Sequence, residues 1–182
     1  MATERDPDAR RLAIITAAAD LIRRGNAGRL THRKVAQHAG IALGSTTYYF
    51  RSLEDLTLAA LELLADEIDA ELAEIRAALA ERGATPEFIA DLFCDYLTDR
   101  ETVEAETALY VAGIERPELR GLSRRWFDGL VDALAEGVGH QSAFALAVFA
   151  DGATLHAALH DTPIDRDTVL AIATSLITSE NR

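Results

Sequence analysis

The sequence predicts an all-α fold, and three observations predict it. Of the 182 residues, 49% are apolar, yet Ala and Leu dominate and β-branched runs are scarce, a composition that favours helix over strand. Apolar residues recur at helical spacing: Leu56, Ala60, Leu64, Ile68, Leu72, Ile75 and Leu79 draw one continuous stripe. The punctuation between stripes is helical as well, with Gly at the stops and Thr85-Pro86 or Pro117 at the starts. About nine helices result.

The first helix is predicted over Pro7–Arg24, with Leu12, Ile15, Ala19 and Ile22 inward and Gly25, Asn26 and Gly28 ending it. Thr31 caps the second, about His32 to Ala39, whose small apolar face is Val35, Ala36 and Ala39. Gly40 stops it, because Gly takes a left-handed conformation without steric cost. Ile41 anchors the turn, and the third helix runs from about Leu43 to Tyr49. Phe50 belongs to the core beneath it, and one of Tyr48 and Tyr49 packs on the first helix, since helix neighbours point about 100° apart. Ser52 opens a capping box with Asp55, and the fourth helix continues to Arg82.

Pro86 starts a fifth helix ending near Asp99, and a sixth spans about Thr102 to Glu115. A seventh runs on from Pro117, with Leu119, Leu122, Trp126, Leu130 and Leu134 on one face, until Gly137 and Gly139 break it. The eighth, about Gln141 to His160, is apolar almost all round and is predicted to be buried on more than one face. Asp165 starts the last, with Val169, Ile172, Leu176 and Ile177 inward. No internal repeat, low-complexity tract or flexible linker interrupts the series.

Charge divides the chain. The net charge is −12, but residues 1–52 hold nine Arg/Lys against four Asp/Glu, a balance of +5. Residues 53–182 hold nine Arg against 26 Asp/Glu, a balance of −17. This predicts two domains, 1–52 and 53–182: a basic head suited to phosphate on an acidic body repelled by it. No apolar stretch approaches the roughly 18 residues of a membrane span. The N-terminal MATERDPDARR carries charges of both signs without an apolar region after it, and the single Cys94 forms no internal disulfide. These features predict a soluble, cytoplasmic protein, with Cys94 a small buried hydrophobe.

Residues 30–56, LTHRKVAQHAGIALGSTTYYFRSLEDL, have the layout of a helix-turn-helix, whose second helix enters the DNA major groove. Leu30-Thr31 with Val35-Ala36, Ala39-Gly40-Ile41, Gly44, Tyr49-Phe50, and Ser52 with Leu56 resemble the tetracycline-repressor (TetR) family of transcriptional regulators. The resemblance implies a three-helix DNA-binding head on a helical ligand-binding and dimerisation body. It implies a homodimeric repressor on a palindromic operator, released by a small-molecule effector. Carried over by position, it implicates Thr31, His32, Arg33 and Lys34, then Ala42, Leu43, Gly44, Ser45, Thr47, Tyr48 and Tyr49 in DNA binding.

The chemistry of these positions divides the work. The hydroxyls of Thr31, Ser45 and Thr47 suit phosphate oxygens, Gly44 lets the helix approach closely, and the Arg33 fork matches guanine O6 and N7. Tyr48 and Tyr49 reach phosphates or thymine methyls. Two positions depart from the family pattern: Leu53 stands where a basic residue is frequent, and Ala42 where a Ser cap is frequent.

No motif names a ligand. Candidate pocket residues are Phe88, Phe93, Tyr96, Tyr110, Trp126, Phe149 and His156, each with core packing as the alternative; Tyr110 and Trp126 rank first because their polar ends require partners when buried. The candidate dimer surface is Phe144, Ala147, Val148, Leu155, Leu159, Val169, Ile172 and Leu176 on the last two helices. His156 and His160 stand four apart, a chelating spacing without a third fixed ligand, so no metal and no cofactor are assigned. The carboxylates of Asp66, Glu67, Asp69, Glu71 and Glu74 read as a solvated face. A Gly-rich phosphate loop, a nucleophile elbow and an HExxH motif are all missing from the sequence, which argues against an enzyme. A helical protein-interaction module without DNA binding is the other reading.

Overall fold

A computed structural model describes residues 6–26, 30–160 and 162–178, so the expected stop at Gly28 lies outside the described residues. Among the described residues there are nine helices of more than one turn, one single-turn helix and no strand. The chain divides into two compact units, Met1–Leu64 and Ala65–Arg182.

In the first unit, α1 (Pro7–Leu21) starts on Asp6, whose carboxylate accepts from Asp8 N at 3.0 Å, and has Pro at its first position. It is shorter than expected, because a π-helical turn, Ile22–Asn26, replaces its last turn. The buried face centres on Ile14, Ile15, Ala18 and Ile22 and leaves Leu12, on its edge, exposed. The expectation that Leu12 points inward is therefore corrected. Next come α2 (His32–His38) and α3 (Leu43–Tyr49), packed on each other, with α2 also packed on α1. Then α4 (Leu53–Arg82) begins where Ser52 Oγ accepts from Asp55 N at 3.0 Å. Its predicted stripe is buried at every position except Ile75, which is half-buried.

The second unit holds the rest of α4 and six further helices: α5 (Pro86–Thr98), α6 (Arg100–Glu115), α7 (Arg120–Ser123), α8 (Arg125–Val138), α9 (His140–Leu159) and α10 (Arg166–Thr178). Thr85 caps α5 by accepting from Phe88 N at 3.2 Å. Asp99 closes α5 and opens α6, accepting from Glu101 N at 3.0 Å and Thr102 N at 3.4 Å, which starts α6 two residues earlier than periodicity suggested. The expected single helix from Pro117 is three pieces: a 3-10 turn at Pro117–Leu119, then α7, then α8 after a break at Arg124. Buried Ser123 accounts for the break, since its hydroxyl donates to Leu109 O on α6 at 2.5 Å, outside its own helix.

A Cβ on Gly113 of α6 would collide with the Cβ and Oγ of Ser123. Gly113→Ala is expected to cost about 1–3 kcal/mol by overpacking, read as a lower Tm. An unchanged Tm would show that Ser123 yields freely.

Helix α9 is central to the unit. It packs against α5, α6, α8 and α10, and Ser142 Oγ donates to Leu176 O of α10 at 2.8 Å. Its buried residues are nearly all small: Ser142, Ala143, Ala147, Ala150, Ala153, Thr154 and Ala157, with Leu146. Four of its large apolar residues point outward, with Phe144 51%, Val148 50%, Leu155 55% and Leu159 72% exposed. The expected burial on more than one face is thus corrected: within one chain, one face is covered and the other is open. By length and composition alone α9 is long and apolar enough to cross a bilayer, contrary to the sequence estimate. One such helix is weak evidence of a span, and within the chain it packs against four other helices.

Candidate nucleic-acid interface and ligand site

The turn between α2 and α3 is built as its residues dictate. Thr31 Oγ1 accepts from Lys34 N at 3.2 Å, Gly40 has φ +64°, and Ile41 N returns to Ala36 O at 2.9 Å. Ala42 offers α3 no side-chain cap. From within, Val35, Ala36, Thr46 and Phe50 hold the pair, and the Arg11 guanidinium lies 5.2 Å from the Phe50 ring centre. Thr46 is buried because its hydroxyl donates to Leu43 O at 2.8 Å.

What remains outside is the set of residues singled out for DNA. Thr31, Arg33, Lys34, Ala42, Leu43, Gly44, Thr47 and Tyr48 are exposed, and His32, Ser45 and Tyr49 are half-buried. Tyr48 is 80% exposed, so the outward member of the tyrosine pair is Tyr48, held edge-on to Tyr49 at 5.1 Å. A Cβ on Gly44 would meet nothing within 4 Å, and its φ is not in the left-handed region. Neither packing within the chain nor backbone geometry requires Gly there. Leu53 is half-buried.

In the second unit an acidic cleft of about 490 Å³ lies between α4, α5 and α6, lined by Glu71, Glu74, Asp95, Asp99, Ile75, Ala78, Leu92, Tyr96 and Thr102. Its inner wall is Tyr96, whose ring stacks on Trp126 with centres 4.2 Å apart and planes at 15°. The Tyr96 hydroxyl donates to Glu106, and Thr154 Oγ1 donates to the same carboxyl oxygen, Oε2, at 3.2 Å. Glu106 is fully buried, and Oε1 has no protein donor. Burial pushes its carboxyl up to about 7, against lowering by the hydroxyls of Tyr96, Tyr110 and Thr154. Trp126 Nε1 is also buried without a partner.

Beyond Glu106, the Tyr110 hydroxyl donates to Asp151 at 2.6 Å, and these two line a second, more apolar cleft of about 630 Å³ with Val111, Ile114, Phe127 and Leu155. Burial raises the Asp151 carboxyl as well.

The remaining predicted residues are placed as follows. Phe88 and Phe93 are buried; Arg82 covers the Phe88 ring at 3.9 Å, and Phe93 packs on half-buried Phe149 at 6.2 Å. His156 stacks on His160 at 4.1 Å, and no group of three potential metal donors occurs among the described residues. Ala147 and Val169 are buried inside the unit, while Ile172 and Leu176 are half-buried. Cys94 is half-buried, and burial raises its thiol despite nearby Arg166. On the acidic face of α4, Asp66, Glu67, Asp69 and Glu74 are exposed as expected, and Glu71 is half-buried. Arg125 Nη1 bridges Asp66 at 2.9 Å and Asp69 at 3.4 Å, and Glu71 accepts from Thr102 Oγ1 at 2.9 Å with its carboxyl raised by burial.

Glu106 escaped the sequence reading. The signal was present, since Thr102, Val103, Glu106, Leu109 and Gly113 share one face of α6 and all but Glu106 suit a core.

The profile of the "Tetracyclin repressor-like, C-terminal domain" family matches residues 80–179. A TetR-family member from Streptomyces coelicolor A3 is 36% identical, covering 92% of this chain and 98% of its own, with a TM-score of 0.78. The chain belongs to the TetR family. TetR-family proteins are transcriptional regulators that bind DNA and small molecules and are dimers. The multidrug binding protein EbrR, complexed with imidazole, is 36% identical to this TetR-family chain, covering 92% of it and 94% of its own length, with a TM-score of 0.75. EbrR complexed with ethidium gives 35% identity, 92% and 98% coverage, and a TM-score of 0.75. No curated protein matches the chain.

Proposed function

We propose that the chain is a repressor that binds a palindromic operator as a homodimer and is released by an aromatic cation. The observation that carries the DNA-binding half is the division within α2 and α3. Four residues secure the pair from inside, and the polar, basic and smallest residues are left facing out. Arg33 reads a base, Thr31, Lys34, Ser45 and Thr47 meet phosphates, and Gly44 admits the backbone. The exposed α9 residues Phe144, Val148, Leu155 and Leu159 form the seam, which sets two recognition helices about 34–36 Å apart.

The acidic cleft supports the choice of effector. Four carboxylates surround it, and Tyr96 forms its wall, with Trp126 stacked on the Tyr96 ring and the buried Glu106 bound to the Tyr96 hydroxyl behind it. EbrR has been solved with proflavin, ethidium and malachite green, all aromatic dyes that carry positive charge as cations. Cation binding lowers DNA affinity by favouring a conformation of the dimer that fits the operator less well. The lone Trp126 makes binding visible, since a cation placed beside the stack is expected to quench its fluorescence.

The test of DNA binding is a mobility shift on DNA from the chain's own upstream region. Arg33→Ala is expected to cost about 1–3 kcal/mol and to relax preference at one base position. Equal binding with unchanged preference would remove Arg33 as the base reader.

A further inference from the structure

Glu106 is a carboxyl group with all of its help on one oxygen. Tyr96 and Thr154 both donate to Oε2, the Tyr110 hydroxyl beside it donates to Asp151 at 2.6 Å, and Oε1 has no hydrogen-bond partner in a fully buried position. The groups facing it are Tyr96 from α5, Tyr110 from its own helix, and Asp151 and Thr154 from α9, with Glu71 of α4 acting on Tyr96. None of these is basic. A bare carboxylate so placed would have no basic side chain to offset its charge, so below about pH 7 the resting site holds its proton, on Oε1.

We propose that Glu106 binds cationic effectors by proton exchange: when a cation occupies the cleft walled by Tyr96, the Oε1 proton leaves to solvent and the Glu106 carboxylate becomes its counter-ion. One positive charge arrives and one departs, so the buried region never carries an uncompensated charge. The cost of ionising a buried acid is met only when the cation is present. Neutral aromatic molecules cannot drive that exchange, so Glu106 selects for charge as well as admitting it. This inference rests on the reading of the cleft as a site for aromatic cations.

The consequence is linkage between pH and affinity. Burial holds the Glu106 carboxyl at about 7, so below that pH each cation bound must expel a proton. Affinity is expected to rise by up to about tenfold per pH unit from pH 5.5 to 7 and to level off above about pH 8.

Ethidium is the probe, because its charge is fixed over this range and any proton released comes from the protein. Calorimetric titration of the full chain at pH 6, in two buffers of unlike ionisation enthalpy, counts that proton. The wild type is expected to release about one proton per ethidium at pH 6 and almost none at pH 8.5. Glu106→Gln, checked for folding by circular dichroism, is expected to release none and to show a flat pH profile. Glu71→Gln, at the raised carboxyl on the cleft wall, is expected to keep the release.

Ethidium binding by the wild type with no proton release and no pH dependence overturns the exchange while leaving the ligand class standing. The same follows if Glu106→Gln folds and still releases the proton. If the wild type binds no ethidium at any pH, the ligand class fails and the exchange with it. Should Glu106→Gln not fold, the wild-type proton count together with Glu71→Gln still decides: release lost in Glu71→Gln assigns the proton to Glu71 and overturns the proposal.

Discussion

Phe144→Glu combined with Leu155→Glu is expected to convert the dimer to a folded monomer and to weaken operator binding by more than about 100-fold. Each side chain is about half exposed in the single chain, and Phe144 touches Phe127 only edge-on at 5.4 Å, so the substitutions spare the protomer's fully buried residues. In a dimer sealed by α9 they remove about 1.5–3 kcal/mol of apolar burial per side chain, and a symmetric interface counts each loss twice. Like charges also then face one another across the seam. Loss of the dimer uncouples the two half-sites, so each recognition helix must bind alone. Light scattering reads the mass and circular dichroism the fold. Val169→Ala provides the contrast: Val169 is fully buried within its own unit, so this variant should lower Tm without changing the mass. An unchanged mass for the double variant would place the interface elsewhere.

The second large effect is on stability against pH. Glu106 is raised from 4.5 to about 7 by burial, so the folded state holds its proton more tightly than the unfolded state does. A raised carboxyl contributes its full stability below about pH 4.5 and loses it as pH climbs through 7. At about 1.36 kcal/mol per unit of pKa, that loss reaches about 3 kcal/mol by pH 8. Glu106→Gln keeps the shape and stays neutral, so it escapes the loss. The variant is therefore expected to gain on the wild type by about 3 kcal/mol between pH 5 and pH 8, read as the difference in urea midpoints. Comparing the two proteins at each pH cancels the many other titrations. A constant difference across that range would mean that Glu106 is ionised in the resting protein.

The helix-turn-helix was legible because its determinants are local. A cap, a left-handed Gly and a few small apolar residues act over a handful of positions, and Thr31, Gly40 and Phe50 do what their chemistry dictates. The α4 stripe was legible for the same reason, since helical spacing runs unbroken through seven residues. Where tertiary partners decide, the sequence was mute. The break at Arg124 depends on Ser123 finding a carbonyl of α6, fourteen residues back. Glu106 depends on α5 and α9 bringing Tyr96 and Thr154 to it, the latter 48 residues away. The open face of α9 misled in another way. All were expected at one dimer surface, but Ala147 and Val169 are covered within one chain, while Phe144, Val148, Leu155 and Leu159 remain uncovered. Hydropathy records that a side chain avoids water, and says nothing of whose surface covers it.

The central claim is that one chain reads DNA through α2 and α3 and surrenders it to an aromatic cation. Tetraphenylphosphonium tests this most directly, because it is an aromatic cation that does not intercalate and so leaves the DNA itself unperturbed. Fluorescence anisotropy of a labelled palindrome from the chain's own upstream region reports DNA binding, while Trp126 emission reports occupancy of the cleft in the same titration. Anisotropy is expected to fall to the free-DNA value over the range in which Trp126 is quenched. DNA that remains bound after Trp126 quenching is complete would contradict the claim.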